Sequence, residues 1–209
     1  MSDLLFYLQD SRSSVGTCAM FWKLGGGYTS NLNEAELFQR DSAVRQYECR
    51  ETDLPWPKRY IDARTTMGVD CQYVDRDEAG KLAETADRFY AAYRREWDGN
   101  NLIWMAKGGA GRTADLGKAA TFSAHHAAGL AVRGYDPLPA DYIDSKSRRV
   151  VSVETMRHKQ AMREAGLKLP KIERPKRPRH AHRCEPCGRF LRRIDVYTGC
   201  PNCGASNAP

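Results

Sequence analysis

The chain repeats itself, and a repeat restricts the fold more than any composition does, because each copy must build the same unit. Phe6, Tyr7, Arg12 and Gly16 recur at a constant offset of 83 residues as Phe89, Tyr90, Arg95 and Gly99, and Trp22 recurs as Trp104. After a glycine-rich turn that is two residues longer in the second copy, Thr29, Leu32, Ala35, Phe38 and Ala43 recur as Thr113, Leu116, Ala119, Phe122 and Ala127. Asn31 is replaced by Asp115. Beyond a two-residue deletion, Pro55, Pro57, Tyr60, Ile61 and Asp62 recur as Pro137, Pro139, Tyr142, Ile143 and Asp144, with Arg64 matched by Lys146.

The chemistry of one copy predicts its elements. An aromatic stretch, Leu4 to Gln9, leads to an apolar run, Cys18 to Trp22, and Gly25, Gly26 and Gly27 permit a turn into Tyr28 to Leu32. That is a hairpin signature. A helix is expected near Asp41 to Arg50, with Ala43, Val44 and Tyr47 on one face. Pro55 and Pro57 then force an extended path into Tyr60-Ile61-Asp62. The second copy repeats this order with Gly108, Gly109 and Gly111 at the turn and a helix near Ala124 to Arg133. Two further helices align with nothing: Glu78 to Ala86, and Ser152, an N-cap residue, to about Ala165. Helical periodicity would extend the first through Trp97, whereas the repeat makes residues 88 to 95 a strand, and the repeat takes precedence.

The expected fold class is α+β: a duplicated β-hairpin-plus-helix module with a pseudo-twofold relation, followed by a basic linker and a small metal-pinned end. Residues 1–76 form the first copy, 77–167 the second with its flanking helices, 168–183 a basic proline-rich linker, and 184–209 the terminal module. One copy of this length would be marginal alone, so the two are expected to share a core.

That terminal module carries the strongest motif. Cys184-Glu185-Pro186-Cys187-Gly188 is followed, after twelve residues counted from Cys187, by Cys200-Pro201-Asn202-Cys203-Gly204. A two-residue gap lets both thiolates of each pair reach one metal, and the glycine permits the turn that aims backbone N–H groups at sulfur. Two such knuckles close a tetrahedral four-sulfur site with no open position, the geometry of one structural Zn²⁺ held by Cys184, Cys187, Cys200 and Cys203. Between the knuckles, Arg189 to Thr198 has the β-branched and aromatic content of a hairpin; the residues resemble the four-cysteine zinc-ribbon family over 184–204, and the resemblance implies a place in nucleic-acid machinery or protein docking.

Charge points the same way. The chain carries 33 Lys+Arg against 26 Asp+Glu, a net of +7. From Lys168 onward there are ten basic and three acidic residues, so the whole excess sits in that segment and residues 1–167 net to zero. Prolines 170, 175 and 178 keep its leader extended. Lys171, Arg174, Lys176, Arg177, Arg179, Arg183, Arg189, Arg192 and Arg193 are the candidate phosphate contacts. His180 and His182 flank the motif and read as part of a solvated linker.

No catalytic constellation is visible. His125 and His126 start a helix, Trp22 and Trp104 read as core rather than base-stacking platforms, and Asp62 and Asp144 read as turn or ion-pair carboxylates rather than a metal pair. Cys18, Cys49 and Cys71 lack ligand spacing and read as small buried residues. No apolar run of membrane-spanning length and no signal pattern at Met1 to Gln9 is present, and the odd cysteine count of seven favours a reducing, cytoplasmic setting.

The expected function is a non-enzymatic binding protein whose basic arm and structural zinc module contact nucleic acid or a nucleic-acid-bound complex, the duplicated domain serving as platform. The first copy also resembles short, uncharacterised bacteriophage and prophage reading frames through Gly27-Tyr28-Thr29 and Leu32-Asn33-Glu34-Ala35-Glu36-Leu37-Phe38. That resemblance implies an alternative: a mobile-element modulator, active in a host cytoplasm, that inhibits a host defence or transcription complex.

Overall fold

The computed structural model describes residues 4–108, 111–172 and 182–208. It divides into two compact units, Met1–Lys171 and Ile172–Pro209, and is a mixed α+β structure with several antiparallel sheets.

The larger unit opens with β1 (Leu5–Val15), β2 (Cys18–Trp22), β3 (Tyr28–Thr29), β4 (Phe38–Gln39), helix α1 (Arg40–Cys49) and β5 (Asp53–Pro57). β1 is the organising strand and pairs with β2, β4 and β5. Its first half, Phe6 to Asp10, is buried on both faces, while Ser11 to Ser14 are exposed. Next come α2 (Lys58–Asp62), β6 (Thr66–Val69), a 3₁₀ turn at Cys71–Tyr73 and α3 (Arg76–Ala83). The second half runs β7 (Arg88–Asp98), β8 (Asn101–Met105), β9 (Arg112–Thr113), β10 (Thr121–Ser123), α4 (Ala124–Val132), β11 (Tyr135–Pro139), α5 (Ala140–Lys146) and β12 (Ser147–Val150). It closes with a 3₁₀ turn at Val153–Thr155 and α6 (His158–Glu164). β7 pairs with β8, β10 and β11.

The registers of the two sheets can be laid side by side. Phe6 faces Phe38 and Pro57 in one; Phe89 faces Phe122 and Pro139 in the other. Both long strands break register at a bulge, between Gln9 and Ser14 and between Ala92 and Trp97. One expected match shifts by a residue. Phe21 pairs with Gln9 and Thr29, while Trp104 pairs with Ala92 and Thr113, so Phe21, not Trp22, holds the position of Trp104.

Two segments differ from expectation. Tyr60-Ile61-Asp62 and Tyr142-Ile143-Asp144 are helical, not extended, because Pro57 and Pro139 stand as N-caps at φ −56° and −55°. Proline lacks the N–H that a first helical turn leaves unused, so it can begin a helix that it would break further in. The helix expected from Ser152 is split. Ser152 caps the 3₁₀ turn through the N–H of Glu154, and α6 starts only at His158.

The helices that aligned with nothing stand in like positions. Asp70 caps the turn before α3 as Ser152 caps the turn before α6, and Ala79 and Ala161 bury their faces. α3 packs on the sheet of β7 and α6 on the sheet of β1. The core around Phe6, Leu8 and Phe21 is completed by Val151, Met156, Ala161, Met162 and Leu167. The core around Tyr90, Leu102 and Trp104 is completed by Val69, Val74 and Ala79. Hydrogen bonds follow the same pairing: Tyr60 Oη accepts from the N–H of Arg157 at 3.0 Å, and Tyr142 Oη from that of Asp75 at 2.8 Å. β6 and β12 pair antiparallel with Met67 opposite Arg149, and single bridges join Cys18 to Ser152 and Asp70 to Asn101. Full burial of a large apolar side chain in either cluster contributes about 1.5–3 kcal/mol.

The halves meet most closely at their hairpin turns. A Cβ on Gly99 would lie 2.4 Å from the backbone nitrogen of Gly16, and one on Gly16 would lie 2.3 Å from that of Gly99; both have φ of +59°. Asp98 locks the contact by accepting from the N–H of Thr17 at 2.6 Å and from its hydroxyl. Beside it lies a buried polar group in which Arg148 donates to Asp70 at 3.0 Å and to Asn101 at 3.3 Å.

The smaller unit holds β13 (His182–Arg183) paired with β14 (Phe190–Leu191), then α7 (Arg193–Thr198).

Candidate metal centre and surrounding residues

In the smaller unit the four cysteines of the two knuckles converge. One ligand atom from each of Cys184, Cys187, Cys200 and Cys203 lies within 4.8 Å of all the others. Two of the sulfur pairs, Cys184–Cys203 and Cys187–Cys200, stand at 3.5 and 3.6 Å. Sulfurs at the corners of a tetrahedron with metal–sulfur bonds of about 2.3 Å would stand slightly farther apart, about 3.8 Å. The spacing therefore suits one metal ion.

The two knuckles are built alike. The N–H of Gly188 donates to the Cys184 carbonyl at 2.7 Å and that of Gly204 to the Cys200 carbonyl at 2.8 Å. The N–H groups of Cys184 and Cys200 donate to the carbonyls of Arg189 and Ala205, both at 2.9 Å. Gly188 and Gly204 have φ of +70° and +73°, the left-handed turn that returns the chain past the sulfurs. Backbone N–H groups face the sulfurs as a result. That of Arg189 draws the Cys187 thiol down to about 6. The N–H groups of Cys203 and Asn202 draw Cys200 down as well. Cys203 has the N–H of Ala205 to lower it, yet its neighbours Cys184 and Cys187 push it up to about 12. Four sulfurs this close cannot all ionise beside one another without a cation among them. The donor set thus fits a divalent metal and is compatible with a zinc-ribbon-like site.

The stretch between the knuckles is not the expected hairpin. Only Phe190–Leu191 is strand, and α7 follows because Asp195 accepts from the backbone N–H of Arg192 at 3.0 Å, fixing the first turn. A carboxylate at the third helical position suits both the free N–H groups and the helix dipole. The Arg192 guanidinium, exposed to solvent, binds the same carboxylate at 2.9 and 2.7 Å.

The other candidates separate. Arg183, exposed on β13, lies over the Phe190 ring at 4.5 Å. Arg189 is exposed and donates to Asn202 at 3.2 Å, and Arg193 is exposed at the start of α7. Lys171 is exposed at the end of the larger unit. Arg174, Lys176, Arg177 and Arg179, with His180, lie outside the described residues. The smaller unit also exposes Phe190, Ile194 and Tyr197.

In the larger unit, Trp104 is fully buried and Trp22 half-buried against Phe38 and Tyr28, so neither offers a free ring. Asp62 accepts from Tyr7 Oη at 3.2 Å and is ion-paired with Lys58 and Arg149. Asp144 accepts from Tyr90 Oη at 2.9 Å and pairs with Arg88. Burial, with the Asp144 carboxylate second, pushes the Tyr90 hydroxyl up to about 12. These carboxylates are taken up by cations and tyrosines of their own surroundings. His126 Nδ1 lies 3.1 Å from Ser123 Oγ at the exposed start of α4. Of the isolated cysteines, Cys18 is buried and takes an N–H from Asn101 at 3.2 Å, Cys71 is half-buried, and Cys49 is exposed rather than buried.

Among the described residues no helix is long and apolar enough to cross a membrane. Comparison with protein-family models, curated proteins and solved structures found no match to this chain.

Sequence reasoning missed Trp97. It is the most exposed of the four tryptophans, at 53%, on the outer arm of β7 beside the bulge. The available signal was its counterpart at the same offset, Ser14: an aromatic replacing a serine in a half-exposed strand has no packing reason.

Proposed function

We propose that the chain is a non-enzymatic nucleic-acid-contacting protein. In this reading one Zn²⁺ on Cys184, Cys187, Cys200 and Cys203 pins the C-terminal unit. Its arginines, with the basic segment 168–183, contact phosphates. The larger unit is one module used twice and serves as platform.

The observation that carries this reading is the four-sulfur cluster in a unit that presents Arg183, Arg189 and Arg193 to solvent. Four thiolates fill a tetrahedral metal, so the ion would hold structure rather than bind substrate. The soft, closed donor set favours zinc. Cations on a small pinned scaffold give contact with the phosphate backbone, which positions a protein without reading sequence. The matched registers and corresponding helix packing support the duplicated module.

Two measurements test it. Metal analysis of the purified chain should give one zinc per chain, and cobalt substitution should give the absorption of a tetrahedral thiolate site. Fluorescence anisotropy with a labelled duplex should show affinity that falls steeply with salt, and glutamate at Arg183, Arg189 and Arg193 should abolish it. Absence of binding at low salt would refute the functional reading, leaving a protein target to be sought by capture from lysate.

A further inference from the structure

The two bulged strands of the larger unit shift register over the same span but differ in backbone dihedral and in surface chemistry. In β1 the bulge closes on itself. Asp10 accepts from the backbone N–H of Arg12 at 3.1 Å and from its guanidinium at 2.8 and 3.0 Å. Ser11 donates to the Thr52 carbonyl at 2.9 Å, and Ser14 ends the bulge. Every charge there is matched.

In β7 the same positions carry Tyr93, Arg94, Arg95 and Trp97. Tyrosine replaces the aspartate that neutralises Arg12, and Arg95 is left exposed. Among the described residues, neither the Arg94 nor the Arg95 side chain has a hydrogen bond or ion pair. The neighbouring cations are spoken for: Arg112 pairs with Glu96 at 3.0 Å and Arg76 with Asp136. Arg95 also has φ of +60°, the one non-glycine residue with positive φ among those described. Strain of that kind persists where the surroundings impose it and clusters at functional sites. Two shallow depressions, of about 580 and 250 Å³, flank the strand, and Arg95 and Trp97 line both.

We propose that this face of β7 binds single-stranded nucleic acid: Trp97 stacks on a base, and Arg94 and Arg95 hold the phosphates on either side. An exposed indole beside two unpaired guanidiniums is the combination such strands require, since stacking tolerates any base and the cations follow the backbone. A duplex keeps its bases stacked internally and has no free face for Trp97. The first sheet is the internal control. A bulge over the same span with Asp10, Ser11 and Ser14 keeps the register shift without Trp97, the free arginines or the positive φ, so the shift alone does not call for them. The site is built from residues of the larger unit alone and does not rest on the reading of the C-terminal unit.

The test uses the full-length, zinc-loaded protein and a short oligothymidylate. Trp56 and Trp104 are buried and Trp22 half-buried, so quenching by the oligonucleotide reports chiefly on Trp97. The expected result is quenched emission on binding, with a matched duplex quenching far less. Trp97→Leu should remove the quench and lower affinity about 10-fold, the scale of one lost base stack. Arg94→Ser with Arg95→Gly should reduce the slope of log affinity against log salt by about 0.7 for each cation removed. Arg95→Gly relieves the positive φ, so its Tm should not fall, which separates lost binding from lost folding. Wild-type affinity in Trp97→Leu, or equal quenching by duplex, would overturn the proposal. Charge reversal at Arg183, Arg189 and Arg193 should leave the quench in place, so this site and the C-terminal unit stand or fall independently.

Discussion

The contact of Gly16 with Gly99 allows a sharp test of how the two halves are joined. Gly99 and Gly166 have nearly the same dihedral, φ +59° and +60°, but a Cβ on Gly166 meets nothing within 4 Å, whereas one on Gly99 meets backbone of Val15 and Gly16 at 2.4 Å. An L-residue in the left-handed region costs about 1–2 kcal/mol, and replacing glycine by alanine returns about 0.5–1 kcal/mol through the unfolded chain. Gly166→Ala should therefore cost about 1 kcal/mol. Gly99→Ala carries the same dihedral cost and adds a clash with backbone that has no rotamer to yield. Overpacking of this kind costs about 1–3 kcal/mol, here at the upper end, for a total near 4 kcal/mol. With about 2–4 °C per kcal/mol for a unit of this size, Gly99→Ala should melt about 6–12 °C below Gly166→Ala in differential scanning calorimetry. Both should retain full metal content, because the four cysteines lie in the other unit. Equal melting temperatures for the two variants would refute the close approach of the turns, and with it the account of how the halves are held.

Cys200→Ser, or chelation, should remove the metal and expose residues 184–204 to protease while the main calorimetric transition stays in place, because metal binding supplies the folding free energy of so small a unit; collapse of the main transition would contradict the division into two units. Arg148→Met should cost about 3–5 kcal/mol in urea denaturation by leaving the buried Asp70 carboxylate unpaired, and Asp70→Asn added to it should recover more than 1 kcal/mol; a loss below 1 kcal/mol would show that the pair is solvated. Burial holds the His158 ring below its ordinary 6.5, against the Pro55 carbonyl, which accepts from Nε2 at 3.1 Å. The unfolded chain then takes up the proton first, so this contribution to stability is complete above about pH 6.5 and is lost as pH falls from there through the folded value; His158→Gln should flatten that part of the Tm–pH curve.

Local chemistry makes much of this protein legible without coordinates. The knuckle spacing names its four sulfurs because a metal's coordination radius dictates the two-residue gap, whatever the rest of the chain does. The recurring Phe-Tyr and Pro-x-Pro segments fall at corresponding register positions, and the recurring Tyr-Ile-Asp segments fall in the short helices that follow them. The repeat places a strand, not a longer helix, at Arg88–Asp98: a repeated sequence must satisfy a repeated environment.

Sequence misleads where the decisive partner is distant. Pro57 and Pro139 read as helix breakers, and only the path of the following chain makes them helix starts. The one-residue offset between Trp22 and Trp104 is hidden because tryptophan resembles tryptophan more than phenylalanine, although burial in the second core selects the position and not the residue type. The correspondence of α3 with α6 is invisible because Cys71–Tyr73 and Val153–Thr155 share only backbone shape and a capping oxygen from Asp70 or Ser152. Which sheet α3 and α6 cover is decided in three dimensions alone: an apolar helix face needs an apolar sheet, and no local signal states which one it will be. The same holds for Trp97. Its neighbours in sequence read as strand residues, and tertiary packing decides which tryptophans are core and which is left facing solvent beside two exposed arginines.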